Sequence, residues 1–502
     1  MIMKNSSILF CASEVAPYAK TGGLADVTEA LPAALSALGC DVRIFMPLYR
    51  CVRNWIKSPT VLSETAPISV GIHDYHIRFV ETRTISGLPL YLLEKDEFYD
   101  RSFLYGTPGS GDYDDNAERF ITFCSAIRPL CLQLNWFPSI IHLHDWQTGL
   151  AAAYHHYYWR RDPKFVHSGT VFTIHNLAYQ GVFPGKYFSL TNLPAEAFSL
   201  DGIEFWGNCN FLKAGLVYSD FLTTVSPRYS QEIQNPEYGC GLHGVLHERN
   251  DYLSGILNGI DQVVWNPVTD SFIPTNYSSS RLAGKRQCKE ALLTELGFSR
   301  EQVDLPLLGM IGRLATQKGF QLLNEILDDL MNCPALLVIL GSGDAEIGAM
   351  VRAMAARYPE QIKIRIEFNE PLAHRIEAGV DIFLMPSSYE PCGLNQMFSL
   401  RYGAIPIVHA TGGLDDSVVD IRKEPLQGTG FKFYTYEASA LIETIKSALE
   451  LFQDKPKWTD LQRRAMKQDF SWERSAERYL DVYERVLEKK RVVSEQWSVS
   501  LV

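Results

Sequence analysis

The chain has 502 residues, which at about 150 residues per domain is material for roughly two to four domains with large cores. Lys and Arg number 47 against 58 Asp and Glu, a formal charge of −11. Nucleic acid and other polyanions are therefore poor partners, since affinity for them is built from clustered cations. Hydrophobic residues at 46% together with 9 Trp exclude a disordered chain.

The 10 Cys form no CxxC pair and no regular spacing, as expected of reduced thiols in a cytoplasmic protein rather than a disulfide framework. The run Ile8 to Ala12 is too short for a signal-peptide core and meets Glu14 and Pro17 at once, so it reads as a first strand. No apolar stretch reaches the roughly eighteen residues of a membrane helix, and no membrane partner is expected.

Short apolar runs ending in Gly, Ser, His or Asp alternate with helix-period segments, the pattern of parallel strands joined by crossover helices. Ser7 to Ala12 predicts a strand, Leu24 to Leu38 a helix, and Val42 to Met46 the next strand. Pro67 to Glu94 alternates apolar and polar residues, which predicts antiparallel strands added to the parallel sheet. Ile140 to Leu143 and Thr170 to Ile174 continue the parallel series. Asn266 to Ser280, rich in Pro, Ser and Asn, carries no periodicity and reads as an inter-domain connection. Beyond it, Leu305 to Ile311, Ala335 to Leu340, Ile362 to Phe368, Asp381 to Pro386 and Ala404 to His409 predict a second strand series. Trp472, Ala476, Tyr479, Tyr483 and Val486 then stand at helical spacing. The expected architecture is α/β: one Rossmann-like domain over residues 1–262, a second over 263–470, and a C-terminal helix within 471–502 that could cross back to the first.

Ligands of open α/β sheets sit outside the carboxyl ends of strands, so polar residues there carry the search for a site. TGGLAD at Thr21 to Asp26 and TGGLDD at Thr411 to Asp416 each follow a predicted strand and precede a predicted helix. A Gly pair at a helix start allows close approach, and the helix end offers unpaired N–H groups to an anion. A tight turn explains either copy alone; the repetition favours function. The first domain adds Lys20, His144 with Asp145, and His175 with Asn176 at strand ends. The second adds Arg313 and Lys318 in GMIGRLATQKG, a forked and a point cation suited to a diphosphate. Glu390 opens EPCGLNQ, with Gly393 at a helix start. A solvated cation pair, or a His satisfied by backbone, would explain any one of these positions; together they could hold a sugar and its diphosphate.

Metal readings are weaker. Asp112, Asp114 and Asp115 contain a DxD pattern that could hold a divalent cation, yet the flanking Gly, Ser and Asn read as a solvated loop. His142 and His144 are expected on opposite sides of their strand, which disfavours shared zinc ligation. HGVLH at His243 to His247 lacks the Glu of HExxH. GSGDAEIG at Gly341 to Gly348 misplaces the third Gly of the dinucleotide fingerprint, which leaves an oxidoreductase without its signature.

KTGGLADV at Lys20 to Val27, HLHDWQT at His142 to Thr148, TIHNLAYQG at Thr173 to Gly181, ILNGID at Ile256 to Asp261, GRLATQKG at Gly312 to Gly319, YEPCGLNQ at Tyr389 to Gln396 and TGGLDDSV at Thr411 to Val418 follow in order. With them the chain resembles the bacterial glycogen synthase and plant starch synthase family over nearly its whole length. The resemblance implies a type-B glycosyltransferase (GT-B) fold, two Rossmann-like domains facing a deep inter-domain cleft. It implies transfer of glucose from a nucleotide diphosphate glucose, ADP-glucose first and UDP-glucose as the alternative, to the non-reducing 4-hydroxyl of an α-1,4-glucan such as glycogen. The configuration would be retained, and neither cofactor nor metal is implied.

By the same resemblance Arg313 and Lys318 grip the diphosphate, while Glu390 and His175 contact the transferred glucose. Thr411, Gly412 and Gly413 would add backbone donors, and Lys20 and Gly23 would reach the diphosphate from the first domain. Cys392 and Gly393 share the donor-side motif, and Asp26, Asp145 and Asn258 match positions near the sugar or the acceptor. The wider superfamily often carries a second Glu eight residues after the first; here Phe398 stands there, so a two-glutamate mechanism is not assumed. A non-catalytic glucan-binding relative should have lost some charged groups, whereas Lys20, His175, Arg313, Lys318 and Glu390 are all present. A phosphorylase of the same fold would need a Lys for pyridoxal phosphate in recognisable context, and none stands near the C-terminal motifs.

Overall fold

In the computed structural model, residues 6–499 are described apart from 57–58, 63–64, 108 and 110, with side chains as far as 491. The chain divides into two units. Unit 1 holds the described residues of Met1–Val225, Ser230–Gly259 and Trp472–Val502; unit 2 holds Ser226–Tyr229 and Ile260–Ser471.

Unit 1 is built on a 10-stranded sheet. Its parallel part runs Pro89–Glu94, Asp41–Pro47, Ser7–Cys11, Ile140–His144, Gly169–Ile174, Phe221–Thr224, Leu253–Gly255. Ile140–His144 and Gly169–Ile174 are buried at every residue, as central strands covered on both faces must be. His73–Arg83 adds antiparallel to Pro89–Glu94 and carries Ala66–Val70 and Thr60–Val61 in turn. The antiparallel addition expected from the alternating pattern is present, but its last strand also closes the parallel series. Chain order reverses at Ser7–Cys11, which pairs with Asp41–Pro47 on one side and Ile140–His144 on the other.

The helix Trp472–Val499 packs into unit 1, and the spacing seen in the sequence is its buried stripe: Ala476, Tyr479, Tyr483 and Val486 are all at most 2% exposed. Tyr483 donates or accepts a 2.7 Å bond with Nδ1 of His142, deep in the sheet.

Unit 2 carries six strands, all parallel, in the order Ile362–Ile366, Leu336–Gly341, Leu307–Ile311, Ile382–Met385, Ile405–His409, Phe431–Phe433. Numbered along the chain this is 3-2-1-4-5-6, the doubly wound order whose reversal lies between the first and fourth strands. Leu, Ile, Val and Met from these strands and their helices form one continuous core.

Asn266 to Ser280 is not a bare connection. Asp270, Ile273 and Tyr277 are nearly buried, and Trp265 just before them is sandwiched between His374 and Phe398, each ring 3.9 Å away. Asp270 accepts from Tyr402 at 2.6 Å and pairs with Nδ1 of His374 at 2.8 Å. The segment lacks periodicity because it is a strap laid across unit 2, its few anchors spaced by turns rather than by a helix or strand.

Candidate active site

In unit 1 the reversal point brings two loops together at the carboxyl ends of Ser7–Cys11 and Ile140–His144. The first is held by Glu14, only 4% exposed, whose carboxylate accepts from the Thr21 N–H at 2.5 Å, the Thr21 hydroxyl at 2.6 Å and the Tyr105 hydroxyl at 2.8 Å. That clamp sets Lys20 and the start of the helix Gly23–Ala37. A Cβ on Gly22 or Gly23 would meet nothing within 4 Å, so this helix start faces open space. Lys20 is half-exposed and pairs with Asp26 at 2.6 Å. A cavity of about 630 Å³ beside it is lined by Lys20, Thr21, Trp55, Phe103, Tyr105 and Asp112, among others.

The second loop turns at Asp145, which leads into the helix Trp146–Tyr157 with φ of +55°, a strained value for a non-glycine residue. The turn aims its carboxylate at the next strand end, where Oδ1 accepts the His175 N–H at 2.8 Å. Burial pushes the Asp145 carboxyl up to about 7, against the opposing pull of the His175 and Asn176 N–H groups. Nε2 of His175 lies 3.0 Å from Nδ1 of His144, and burial holds the His175 imidazole down to about 3.

His142 and His144 do not face opposite sides. Residues two apart on a strand share a face, and their rings stand 4.2 Å apart. His142 uses Nδ1 on Tyr483 and Nε2 on Thr173 at 2.6 Å. Asp115 is engaged by both outer nitrogens of Arg101, and among the described residues no group of three or more metal-ligating side chains gathers. Asn258, beyond the last parallel strand, is 6% exposed, and its buried Oδ1 has no hydrogen-bond partner among the described residues.

In unit 2 the GRLATQKG turn follows Leu307–Ile311 and the YEPCGLNQ loop follows Ile382–Met385, the two strands that flank the reversal. Gln317 ties the segments together, donating to the Tyr389 carbonyl at 2.9 Å and accepting from the Ser388 N–H at 2.9 Å. Lys318 then meets Glu390 at 2.6 Å, the Lys side chain 22% and the Glu side chain 9% exposed, and the Ser387 hydroxyl adds a 3.0 Å bond to the same oxygen. Arg313 is exposed and, among the described residues, has no ion-pair partner. Gly393 is a required glycine: its φ is +68°, and a Cβ would press within 3.1 Å of the Glu390 Cγ.

Two of the three N–H groups expected to reach the phosphates, those of Thr411, Gly412 and Gly413, have partners inside unit 2. The Gly413 N–H is already given to the Glu390 carbonyl at 3.1 Å and that of Thr411 to His409 at 2.8 Å. A Cβ on Gly412 would strike the Glu390 carbonyl, and one on Gly413 the backbone of Cys392. These glycines let the second loop lie directly on the Glu390–Cys392 backbone and so hold Glu390 in place. The two TGGL copies therefore have different surroundings: Gly22 and Gly23 face open space, whereas Gly412 and Gly413 lie on backbone. GSGDAEIG is a capped helix start, Asp344 accepting from the Glu346 and Ile347 N–H groups.

Comparison with known proteins decides the family. Residues 7–248 match the family described as starch synthase catalytic domain, and residues 296–467 match glycosyl transferases group 1. A glycogen synthase of Koribacter versatilis is 47% identical over 481 residues, covering 95% of this chain and 98% of that one. The chain belongs to the glycogen synthase family. A second member, glycogen synthase 2 of Geobacter sulfurreducens, is 43% identical over 96% of this chain and 99% of its own. The catalytic domain of starch synthase IV from Arabidopsis thaliana, solved with ADP and acarbose, superposes with a TM-score of 0.89 at 32% identity, covering 97% of this chain and 100% of that one. Sucrose-phosphate synthase from Thermosynechococcus elongatus shares the fold alone, at a TM-score of 0.58 and 16% identity.

The protein is thus a glycosyltransferase enzyme of GT-B fold. Sequence reasoning missed Glu14, Tyr105, Gln317 and Ser387, whose hydrogen bonds hold the loops that carry Lys20, Lys318 and Glu390. The one signal available was an acidic residue, Glu14, set just beyond a wholly apolar strand. No helix among the described residues is long and apolar enough to cross a membrane.

Proposed function

We propose that this chain is a glycogen synthase that transfers glucose from ADP-glucose to the non-reducing 4-hydroxyl of an α-1,4-glucan, with retention at the anomeric carbon. The observation that carries the reading is the Lys318–Glu390 pair at 2.6 Å with Arg313, which has no ion-pair partner among the described residues, on the same turn: two cations and one carboxylate at the reversal point of a doubly wound sheet suit an anionic sugar donor. Family membership and the ADP-bound relative support the same donor class.

Breaking the bond between C1 and the diphosphate leaves negative charge on the phosphate and oxocarbenium character on glucose. Arg313, fork-shaped and exposed, binds the diphosphate oxygens, and Lys318 moves from Glu390 toward the leaving oxygen as its charge grows, so both stabilise the transition state more than the ground state. Glu390, held by Ser387 and by the backbone packing at Gly412 and Gly413, positions sugar hydroxyls. The 4-hydroxyl of the acceptor attacks C1 on the face the phosphate leaves, and its proton passes to that phosphate. Cys392 and Gly393 shape the loop that carries Glu390. On unit 1, Lys20 and the open helix start at Gly23 offer a further anion-binding patch, His175 contacts the glucose, and Asp145 fixes His175. Asp26 and Asn258 are proposed for the acceptor side. Ten free thiols fit a reducing, cytoplasmic setting.

The test is direct: purified protein is given ADP-glucose or UDP-glucose with a glycogen primer, and nucleotide release and chain growth are followed. Growth with ADP-glucose at higher kcat/KM is expected; release of nucleotide without chain growth would sink the proposal.

A further inference from the structure

We propose that His144 is a positioning residue that fixes His175 in the tautomer protonated on Nδ1, so that His175 meets the glucose as a hydrogen-bond donor and not as a base. The proposal rests on the reading of His175 as a sugar contact, and its test separates the two.

His144 ends the strand Ile140–His144 and is fully buried; His175 follows the neighbouring strand Gly169–Ile174. Between His144 Nδ1 and His175 Nε2, 3.0 Å apart, one nitrogen must donate and the other accept. The remaining nitrogen of His144 decides which. Its Nε2 is buried with no hydrogen-bond partner among the described residues. If His175 donated, the single proton of neutral His144 would sit on that Nε2 as an orphaned buried N–H. If His144 donates, Nε2 keeps only a lone pair. Native interiors leave donors orphaned less often than acceptors, so His144 donates. The hydrogen bond at one ring nitrogen then sets the proton at the other: His175 accepts at Nε2 and carries its own proton on Nδ1.

The surroundings hold this arrangement. Phe10 stacks on the His144 ring, centroids 5.4 Å apart and planes 20° apart. His142, the nearest other imidazole, has both nitrogens engaged by Tyr483 and Thr173 and so does not compete. The Asp145 carboxylate fixes the backbone of His175. Burial keeps both rings neutral, holding His144 well below the ordinary histidine range and His175 down to about 3. Among the described residues Nδ1 of His175 makes no hydrogen bond, which leaves its N–H for a ligand hydroxyl. A neutral ring that offers a donor and keeps its lone pair turned inward orients a sugar without taking its proton.

Selective 15N labelling of histidine in the full chain reads the tautomers without any substitution. His175, assigned by the signal lost in His175→Asn, is expected to show a protonated Nδ1 and a bare Nε2. A proton on Nε2 overturns the proposal. His144→Phe keeps a ring against Phe10 but removes the donor, and kcat/KM for chain elongation should fall about 2- to 10-fold, the effect of one lost neutral hydrogen bond. His144→Gln, whose amide can donate, should restore part of the loss. Unchanged kcat/KM in a folded His144→Phe, with the His175 tautomer unaltered, also overturns it, and the wild-type spectrum decides the question if that variant fails to fold. Near wild-type turnover in His175→Asn would instead remove the sugar contact and, with it, the role of the donor.

Discussion

Lys318 and Arg313 separate charge from packing. Arg313 has no ion-pair partner among the described residues, so Arg313→Ala should leave the melting temperature unchanged while turnover falls about 100- to 1,000-fold, the effect of removing one transition-state donor. Lys318→Ala should lower turnover similarly but also lower the melting temperature, because Glu390, its side chain 9% exposed, keeps among the described residues only the Ser387 hydroxyl as side-chain partner. That cost is about 1–3 kcal/mol, below the figure for a fully buried pair because Lys318 is partly in water. Equal melting temperatures for the two variants would show that the pair does not hold the loop. Motifs made both cations legible, since each follows a strand end. Their different partners were not, because the Lys318–Glu390 bond joins residues far apart in sequence.

Asp145 gives a pH signature at the same scale. Burial raises its folded-state pKa to about 7, above the unfolded value of about 3.9. The folded state therefore holds the proton more tightly, its advantage is complete below about pH 4, and it is lost as pH rises to about 7. Asp145→Asn keeps an oxygen for the His175 N–H and cannot ionise. Its melting temperature relative to wild type should rise steadily from pH 4 to pH 8; a difference independent of pH would show that Asp145 ionises freely.

At the scale of elements, strands were readable because buried parallel strands are short apolar runs, and the final helix because five apolar or aromatic residues recur on one face. Phe221–Thr224, Leu253–Gly255 and Phe431–Phe433 escaped notice: with four residues or fewer they are too short to show a period. The strap through Asp270 and Tyr277 escaped for the opposite reason, its order coming from single anchors such as the Trp265 stack. The helix Trp472–Val499 tests whether a terminal element is structural. Tyr483→Phe removes the partner of buried His142 Nδ1, which should cost about 1–3 kcal/mol and lower the melting temperature of the full chain. No change would mean that His142 is satisfied without the helix.

At the scale of the molecule, the same doubly wound order occurs in both units, and both place their polar loops at the reversal point. That much followed from the alternation of strands and helices, and the seven ordered motifs carried the family. The different surroundings of the two TGGL copies did not follow, because identical letters sit on different neighbours: Gly23 faces open space, whereas Gly413 lies on Cys392. The chain also leaves unit 1 and returns to it with its last helix, so unit 1 depends on both ends of the sequence while the core of unit 2 takes no residue beyond Phe470. Ending the chain after Ser471 strips the cover from Gly169, whose Cα faces the Val486 side chain, and removes buried Tyr479 and Tyr483. Calorimetry of that truncated chain should show the melting of unit 1 moved to lower temperature and that of unit 2 kept. Unit 2 should accordingly still bind ADP, through Arg313 and Lys318, at temperatures where unit 1 has unfolded and elongation has ceased. Loss of both transitions together would show that unit 2 does not stand on its own core.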